Sequence, residues 1–187
     1  MQKVLFLFGE LNDDDIDWLI TAGKIAKIPP QTVLIQENQP LENFYILLDG
    51  SVSVFIDLMG VTKDIAVLQS GEVFGELSFI DQQLPSASVK TCGECLLLAV
   101  SQDKISDRLN QDIGFSARFN RAIATFLASR LRNTVRHLGE DKDFVFNQSR
   151  ATEAVPSMIQ ENLNVATTRF DWLLRRVQSQ TVPENPV

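Results

Sequence analysis

The chain has 187 residues, of which 44% are hydrophobic and 22% are charged, a composition that is ordinary for a globular protein with a sizeable core. No apolar run approaches the roughly 20 residues that a membrane-spanning helix needs, and the short run at residues 4–8 has neither the length nor the cleavage site of a signal peptide. We therefore expect a cytoplasmic protein without a membrane span. The net charge of −7 arises in residues 1–110, where acids outnumber bases, so this part of the chain should repel nucleic acid.

The first predicted element is a helix in "LNDDDIDWLITAG", residues 11–23. Asn12 or Asp13 can accept hydrogen bonds from the first free backbone amides, and the acids that follow complement the positive end of the helix dipole. Gly23 is a typical C-terminal stop. The apolar stripe consists of Ile16, Leu19 and Ile20, which predicts that one face of the helix packs on the rest of the protein.

From Ala26 to Val100 the pattern changes to short segments rich in β-branched and aromatic residues, separated by turns that contain glycine, proline or asparagine. Strands this short and this regularly spaced predict an antiparallel β-roll, similar to a double-stranded jelly roll, instead of a βαβ fold. The predicted strand segments are "TVLIQEN", "NFYILLDG", "SVSVFIDL", "KDIAVLQSGE", "SASVKT" and "CLLLAV". With helices before and after the roll, the fold class is α+β.

The two cysteines, Cys92 and Cys95, are separated by Gly93 and Glu94. Structural zinc would need two more ligands, and the single His137 lies far along the chain. A redox-active pair normally sits at the start of a helix, where the dipole lowers the thiol pKa. Here the pair lies between two strand-like segments, which predicts a hairpin turn flanked by two thiols in a structural setting, without a metal.

Two helices are predicted after the roll. A short one covers residues 101–110, with Ser101 as its cap, and a long one covers residues 112–139, where Gly139 terminates it. Apolar residues recur along the long helix at steps of three and four. The apolar stripe that they form is longer than the helix needs in order to pack on one roll. They are Phe115, Phe119, Ala122, Ile123, Phe126, Leu127, Leu131, Val135 and Leu138. Its arginines predict a solvated face, with attraction of a polyanion as the alternative: Arg118, Arg121, Arg130, Arg132 and Arg136.

The last part of the chain is predicted to be a polar linker at residues 139–156, with a small apolar knot at Phe144–Phe146, followed by an amphipathic helix at residues 157–179. Ser157 and Gln160 are spaced as a capping box. The apolar stripe of this helix should pack on another helix or in a groove. It consists of Ile159, Leu163, Ala166, Phe170, Leu173 and Val177.

Several motifs follow one another between the first and the long helix: Gly50 after a strand, Gly71 at a turn, and Phe74-Gly75-Glu76-Leu77 followed by the small-residue segment "PSASV". In this order and spacing the chain resembles the cyclic nucleotide-binding domain superfamily, in particular the sensor half of the CRP/FNR-type regulators. The resemblance covers about residues 11–138. It implies a bacterial signalling protein with a sensor-type domain at 11–138, a linker at 139–156 and a C-terminal helix at 157–179.

The resemblance implies a ligand site, functional or vestigial, at Phe74, Gly75, Glu76, Leu77, Ser78, Pro85, Ser86, Ala87 and Ser88. In the family, the glutamate that corresponds to Glu76 accepts a hydrogen bond from the ribose 2′-hydroxyl, and a hydroxyl residue at the position of Ser86 contacts the phosphate. The family's ligand-binding members carry an arginine directly before that hydroxyl residue. This chain has Pro85 there.

The missing arginine leaves the expected phosphate without a local cation. No basic residue lies between Lys63 and Lys90, and Lys90, at the far end of its strand, should point away from the cradle. A charge-assisted hydrogen bond contributes about 1.5–3 kcal/mol, so its loss weakens binding about 10- to 100-fold. A replacement would have to be an arginine distant in sequence or one from another subunit. The motif therefore either defines turns around an empty pocket or forms an altered pocket for another ligand, neutral or weakly acidic.

These observations favour a non-enzymatic regulatory module whose pocket is degenerate. The residues after Leu138 hold one convincing amphipathic helix, fewer than a helix-turn-helix domain needs, so no DNA partner is expected. No nucleophile–base pair is evident, and His137 is better placed as a partner of the helix dipole than as a base. We expect no cofactor. The alternative is a signalling protein that responds to a cyclic nucleotide or another small effector in the altered pocket.

The module is expected to act through contacts with other chains. Long helices at this position mediate dimerisation in the resembling family, which implies a homodimer built on Phe119, Ile123, Phe126, Leu127, Leu131, Val135 and Leu138. The helix at residues 157–179 either packs on the body or on the dimer, or docks on a protein partner, because its apolar stripe should not stay in water.

Overall fold

The computed structural model describes residues 5–140 and 157–178, which form six helices and eight strands. Helices α1 (Leu5–Glu10) and α2 (Asp13–Ala22) precede the strands β1 (Lys24–Ile28), β2 (Val33–Ile35), β3 (Asn43–Asp49), β4 (Ser51–Leu58), β5 (Val61–Gln69) and β6 (Val73–Phe74). Then come helix α3 (Glu76–Asp81), the strands β7 (Ser88–Thr91) and β8 (Cys95–Ser101), and the helices α4 (Gln102–Gln111), α5 (Ile113–Glu140) and α6 (Ser157–Gln178). Within these residues, no helix combines the length and the apolar composition that a membrane crossing requires.

The eight strands form two four-stranded antiparallel sheets, which is the β-roll that the sequence predicts. The strand order is β1-β8-β3-β6 in one sheet and β2-β7-β4-β5 in the other. Strand β3 is covered on both faces: Tyr45 and Leu47 face the inside of the roll, whereas Phe44, Ile46 and Leu48 pack under the helices. Because neither face meets water, its sequence "FYILL" is apolar at every position instead of alternating.

Helix α2 begins as predicted, with a capping box formed by Asn12 and Asp15. The Asn12 side chain accepts a hydrogen bond from Asp15 N at 2.9 Å, and the Asp15 carboxylate accepts one from Asn12 N at 3.0 Å. Asp15 is buried and also accepts two hydrogen bonds from the Arg118 guanidinium of α5, at 2.6 and 2.8 Å. An acid that the sequence assigns only to the helix dipole therefore also ties α2 to the long helix.

The predicted hairpin around Gly93 and Glu94 is wrong, because β7 and β8 belong to different sheets. Strand β7 pairs with β2 and β4, and β8 pairs with β1 and β3, so the turn carries the chain across the roll. A tight turn has the same residue preferences in a hairpin and in a connection between two sheets, so only the pairing of the flanking strands distinguishes the two. The thiols are free: Cys92 is exposed, and Cys95 is buried, which raises its pKa.

The long helix α5 agrees with its prediction and runs one residue past Gly139. The first part of its apolar stripe is buried in the core of this same chain. Phe119, Ile123 and Phe126 are all less than a tenth exposed, and the Phe119 ring lies 5.9 Å from that of Phe44 in the roll. These three side chains cover the helix-facing side of the first sheet.

The second part of the stripe is open to solvent. Leu127 is half-buried against the core, whereas Leu131 and Val135 are 65% and 60% exposed. The side chain of Leu138 lies outside what the structure describes. Leu131 and Val135 are therefore the described stripe residues of α5 that are most open to solvent.

Helix α6 packs on α1 and buries the described part of its apolar stripe, residues 166–177, within this chain. Ala166, Leu173 and Val177 are fully buried, and the Phe170 ring lies 5.6 Å from that of Phe8. No helix is predicted from the sequence for residues 5–10, yet these six residues of α1 supply part of the surface that α6 covers. Of the two outcomes expected for α6, packing on the body is the one that the structure shows.

Arg169 of α6 secures this packing with polar contacts. Its Nη1 donates hydrogen bonds to the carbonyls of Phe8 and Leu11, at 3.1 and 2.6 Å, and its Nε donates to Asp13 at 2.7 Å. Carbonyls at the end of a helix lack partners within that helix. One guanidinium therefore satisfies the end of α1 and contacts the first turn of α2.

The division of the chain into 11–138, 139–156 and 157–179 stays a prediction. The structure ends α5 at Glu140 and begins α6 at Ser157. The predicted knot at Phe144–Phe146 falls outside the described residues. The same holds for the side chains of the predicted capping box and of the first stripe residues of α6, namely Ser157, Gln160, Ile159 and Leu163.

Replacing Leu173 by alanine should lower the free energy of unfolding by about 2–5 kcal/mol, because the leucine side chain is fully buried in the same core as Phe8. The matched control is Val165→Ala on the same helix, where the valine is 45% exposed and truncation should change stability by less than about 0.5 kcal/mol. Urea unfolding at equal protein concentration measures both. Small and equal losses would contradict the packing of α6 on this chain.

Candidate ligand-binding site

Strand β6 and helix α3 meet at Gly75, whose backbone lies in the left-handed region with φ +83°. A side chain there would be strained, and its Cβ would lie 3.0 Å from Leu41 Cδ2 and 3.1 Å from the Asn43 carbonyl oxygen. Glycine is therefore the residue that fits this turn without displacing its neighbours. The turn makes Glu76 the first residue of α3 and buries its side chain.

A cavity of about 200 Å³ lies beside this turn. It is bounded by α3 and the loop after it, by residues of the roll such as Val54 and Val89, and by one side chain of α5. The predicted ligand residues that line it are Phe74, Gly75, Glu76, Leu77, Ser78, Pro85, Ser86 and Ala87. The structure thus brings the segments 74–78 and 85–87 to one cavity.

Ser88 is the predicted ligand residue that does not reach the cavity. It is buried, and its hydroxyl accepts hydrogen bonds from the backbone N–H of Glu37 at 2.9 Å and from Gln36 Nε2 at 3.3 Å. Ser88 therefore fastens the start of β7 to the segment that follows β2. This contact is structural and leaves the Ser88 hydroxyl facing away from the cavity wall.

The loop around Pro85 supplies no cation to the cavity. Pro85 is buried and its carbonyl accepts a hydrogen bond from Asn38 N at 2.9 Å, whereas Ser86 is exposed. Lys90 points elsewhere, as its place at the far end of the strand predicts, with its Nζ 5.0 Å from the centre of the Phe55 ring. The residues of this segment that line the cavity are therefore uncharged at positions 84–87.

The cation of the cavity wall comes from α5, as the side chain of Arg130. Its Nη1 donates a hydrogen bond to Glu76 Oε1 at 2.5 Å, and its Nη2 donates one to the Val73 carbonyl at 3.0 Å. Nη2 also lies 3.9 Å from a carboxylate oxygen of Glu72, and the guanidinium lies 4.5 Å from the centre of the Phe126 ring. Arg130 therefore joins the long helix to the β6–α3 turn.

The assignment of Arg130 to a solvated helix face is wrong, and its spacing could have shown this. Arg130 follows Phe126 by four residues and Ile123 by seven, so it continues the stripe of α5 that is buried. A charged residue in register with a buried stripe predicts a buried ion pair, because such residues are rarely buried alone. Arg132, which leaves this register, is exposed as predicted.

The charges around Arg130 are dominated by carboxylates. Glu76 is 2% exposed and Glu72 is 5% exposed. Burial raises the pKa of Glu76, and the attraction of Arg130 lowers it without cancelling the effect of burial. Since two buried carboxylates face one guanidinium, an incoming anion would have to displace one of them. Among the described residues, no group of three or more His, Cys, Asp or Glu side chains is placed to hold a metal ion.

Comparison with known sequences identifies regulatory relatives. Residues 25–112 match the family model described as "Cyclic nucleotide-binding domain". Potassium channel AKT1 of Oryza sativa subsp. indica is 28% identical over 131 residues, which is 70% of this chain and 14% of the channel. The cAMP-dependent protein kinase regulatory subunit of Pyricularia oryzae is 33% identical over 81 residues, 43% of this chain and 20% of that subunit. The chain thus spans a minor part of the curated relatives it matches.

Comparison with solved structures gives the same fold. The regulatory domain of Toxoplasma gondii PKA with cAMP is 28% identical, with a TM-score of 0.52 over 57% of this chain and 42% of that one. A cyclic nucleotide-binding domain from Methylobacillus flagellatus has 20% identity and a TM-score of 0.67, over 76% and 85% of the two chains. Thermus thermophilus Catabolite Activator Protein has 18% identity and a TM-score of 0.61, over 95% and 91%. The last two likenesses concern the fold alone.

Replacing Arg130 by alanine should lower the free energy of unfolding by about 3 kcal/mol, since it leaves the buried Glu76 carboxylate without its cation. The double variant Arg130→Ala/Glu76→Gln should lose less, because no unpaired charge remains. Urea unfolding of the three proteins measures the difference.

The loss should also depend on pH. The pKa of Glu76 is raised in the folded protein, so its stabilising contribution is present below the ordinary value of 4.5 and disappears as the pH rises through the folded pKa. Removing Arg130 raises that pKa further, so the cost of Arg130→Ala should grow as the pH rises above the ordinary value of 4.5. A cost that is independent of pH, and equal in the single and double variants, would contradict the ion pair.

Proposed function

Since residues 25–112 of this chain form a cyclic nucleotide-binding domain, we propose that the chain is a non-enzymatic regulatory module whose pocket binds cyclic AMP and cyclic GMP weakly or not at all. The observation that carries the proposal is the state of the guanidinium in the cavity wall. Arg130 is held by Glu76 at 2.5 Å and by the Val73 carbonyl at 3.0 Å. A phosphate would have to break this arrangement and leave the carboxylate buried without a partner, which costs several kcal/mol.

Pro85 supports the same conclusion. The resemblance places an arginine at this position in ligand-binding members, and a proline offers neither a charged side chain nor a backbone N–H. The adjacent hydroxyl of Ser86 lines the cavity but carries no charge. The phosphate would therefore meet polar groups without a free cation.

The size of the cavity supports it as well. Pockets for ligands of drug size enclose roughly 300–1,000 Å³, whereas this one encloses about 200 Å³. A cyclic nucleotide must place a purine, a ribose and a phosphate together. Some of these groups would remain outside the cavity, which reduces the surface that binding removes from water.

The relatives support a regulatory role over an enzymatic one. The matching proteins named above are a potassium channel and a kinase regulatory subunit, in which this segment is a minor part of the chain. The alternative function is a ligand-responsive signalling protein that binds a cyclic nucleotide or another small molecule in the altered pocket. It is favoured by one observation: Arg130 connects the cavity directly to the long helix α5. A ligand that changes this contact would act on α5.

Two surfaces are proposed to transmit the regulatory signal. The first is the exposed end of the α5 stripe, Leu131 and Val135, as the centre of a homodimer. The second is the outer face of α6, where Val165 and Trp172 are 45% and 42% exposed, as a contact for a protein partner. No DNA partner is proposed, because the first part of the chain is acidic.

The pocket is tested by restoring the missing charge. Pro85→Arg should improve the affinity for cyclic AMP by about tenfold or more, because a guanidinium adds a charge-assisted contact to the phosphate. Pro85→Ala is the control, since it removes the ring without adding a charge, and should bind as weakly as the natural protein. Titration calorimetry on the three proteins measures the affinities. Tight binding by the natural protein would refute the degenerate pocket.

The dimer is tested on α5. The natural protein should be dimeric at about 50 µM, and Leu131→Asp should convert it to a monomer by placing a charge in the apolar contact. Ile113→Asp is the matched control, because Ile113 lies on the same helix, is 86% exposed and is outside the proposed contact. Light scattering coupled to size exclusion measures the mass. A monomeric natural protein would rule out this dimer.

A further inference from the structure

We propose that the cavity beside α3 binds a small, mainly apolar and uncharged molecule about the size of one substituted aromatic ring. This inference rests on the proposed function, because it requires that the pocket no longer takes a cyclic nucleotide. It gives the pocket a different class of ligand, where the proposed function alone would leave the cavity empty. Three properties of the cavity carry it: the chemistry of the wall, the charges and the size.

The wall of the cavity is mainly apolar. The roll contributes Ile35, Val54, Leu68, Phe74 and Val89, and the opposite side includes Leu84. Such side chains offer no hydrogen bonds to a ribose or a phosphate, and a polar group that is buried without a partner is destabilising. Apolar ligand surface, in contrast, gains free energy when this wall removes it from water.

The charges in and behind the wall repel an anion, and a cation finds Glu76 already paired with Arg130 and Asp81 exposed to water, which screens its charge. Glu76 and Glu72 are buried around the single guanidinium of Arg130, and the exposed Asp81 adds a carboxylate to the cavity lining. An anion would meet an excess of carboxylates and would have to take Arg130 from Glu76. A cation would compete with Arg130 for the same carboxylate at 2.5 Å. An uncharged donor can approach the Glu76–Arg130 pair without disturbing it.

The volume sets the size of the ligand. An apolar cavity of roughly 150 Å³ is enough to hold a benzene ring, and this cavity measures about 200 Å³. One ring with one polar substituent therefore fits. Leu77 and Leu84 line the cavity and are 50% and 54% exposed, so a bound ring would also cover apolar surface that now contacts water.

Three probes of nearly the same shape test the proposal on the full chain: benzamide, benzoate and benzamidine, which are neutral, anionic and cationic at neutral pH. We expect benzamide to bind with a dissociation constant of about 1 mM or below, and the two ions to bind at least about tenfold more weakly. Saturation-transfer NMR and titration shifts measure the binding. Benzoate or benzamidine binding as tightly as benzamide would overturn the charge argument and with it the proposal.

Variants locate the binding. Ala87→Met places a longer side chain in the cavity wall and should weaken benzamide binding about tenfold or more. Val67→Met is the matched control, because Val67 is 54% exposed on β5 and does not line the cavity. If circular dichroism shows that Ala87→Met is unfolded, Leu84→Gln replaces it. Leu84 is an exposed residue of the cavity lining, and its replacement by glutamine should also weaken benzamide binding. Unchanged benzamide affinity in the folded cavity variants would overturn the assignment.

A parallel titration with cyclic AMP separates this inference from the proposed function. If neither benzamide nor cyclic AMP binds, this inference is overturned and the degenerate pocket stands. If cyclic AMP binds tightly, the proposed function fails, and this inference fails with it. Binding of benzamide without cyclic AMP supports both.

Discussion

The buried contact between Arg130 and Glu76 is the interaction on which the rest of the site depends. Glu76 is 2% exposed, and a carboxylate that deep in a protein is strongly destabilising unless a cation and hydrogen bonds accompany it. The cation comes from α5, so the β6–α3 turn and the long helix must keep one relative position. The ring of Phe126, 4.5 Å from the guanidinium, and the packing of Phe119 on Phe79 in α3 hold the two elements in that position.

This contact also engages the one acidic residue of the Phe74–Leu77 motif. In the resembling family, the glutamate of this motif serves the ligand, whereas here it is paired with a side chain of the same chain. The motif around Gly75 is kept for a backbone reason, because its positive φ and the close approach of Leu41 require glycine whatever the pocket holds. The geometry of a fold and the chemistry of its site can therefore change independently.

The first part of the chain is acidic and the last part is basic, and many of these opposite charges form ion pairs with each other inside the protein. Arginines of the last helices meet acids that precede them in the sequence: Arg118 with Asp15, Arg121 with Glu10, Arg130 with Glu76, Arg169 with Asp13 and Arg176 with Asp17. The exposed pairs contribute roughly 0–1 kcal/mol each, whereas the two with a buried carboxylate orient α5. These basic side chains are thus engaged within the protein, which leaves less positive surface for a polyanion.

The sequence by itself determined the features that depend on neighbouring residues. The cap of α2, six of the eight strands and the lengths of α5 and α6 follow from capping residues, turn residues and apolar periodicity, whereas β1 and β6 were not predicted. The family motif placed Gly75, Glu76 and Pro85 at one site. The tertiary structure alone decided which strands β7 and β8 pair with, what covers α6, and which cation faces Glu76. Arg130 and Glu76 are 54 residues apart, and no local preference records such a contact. It is decided by the free energy of pairing the buried Glu76 carboxylate with the partly exposed Arg130 guanidinium, a gain that exists only once the helix and the roll have packed.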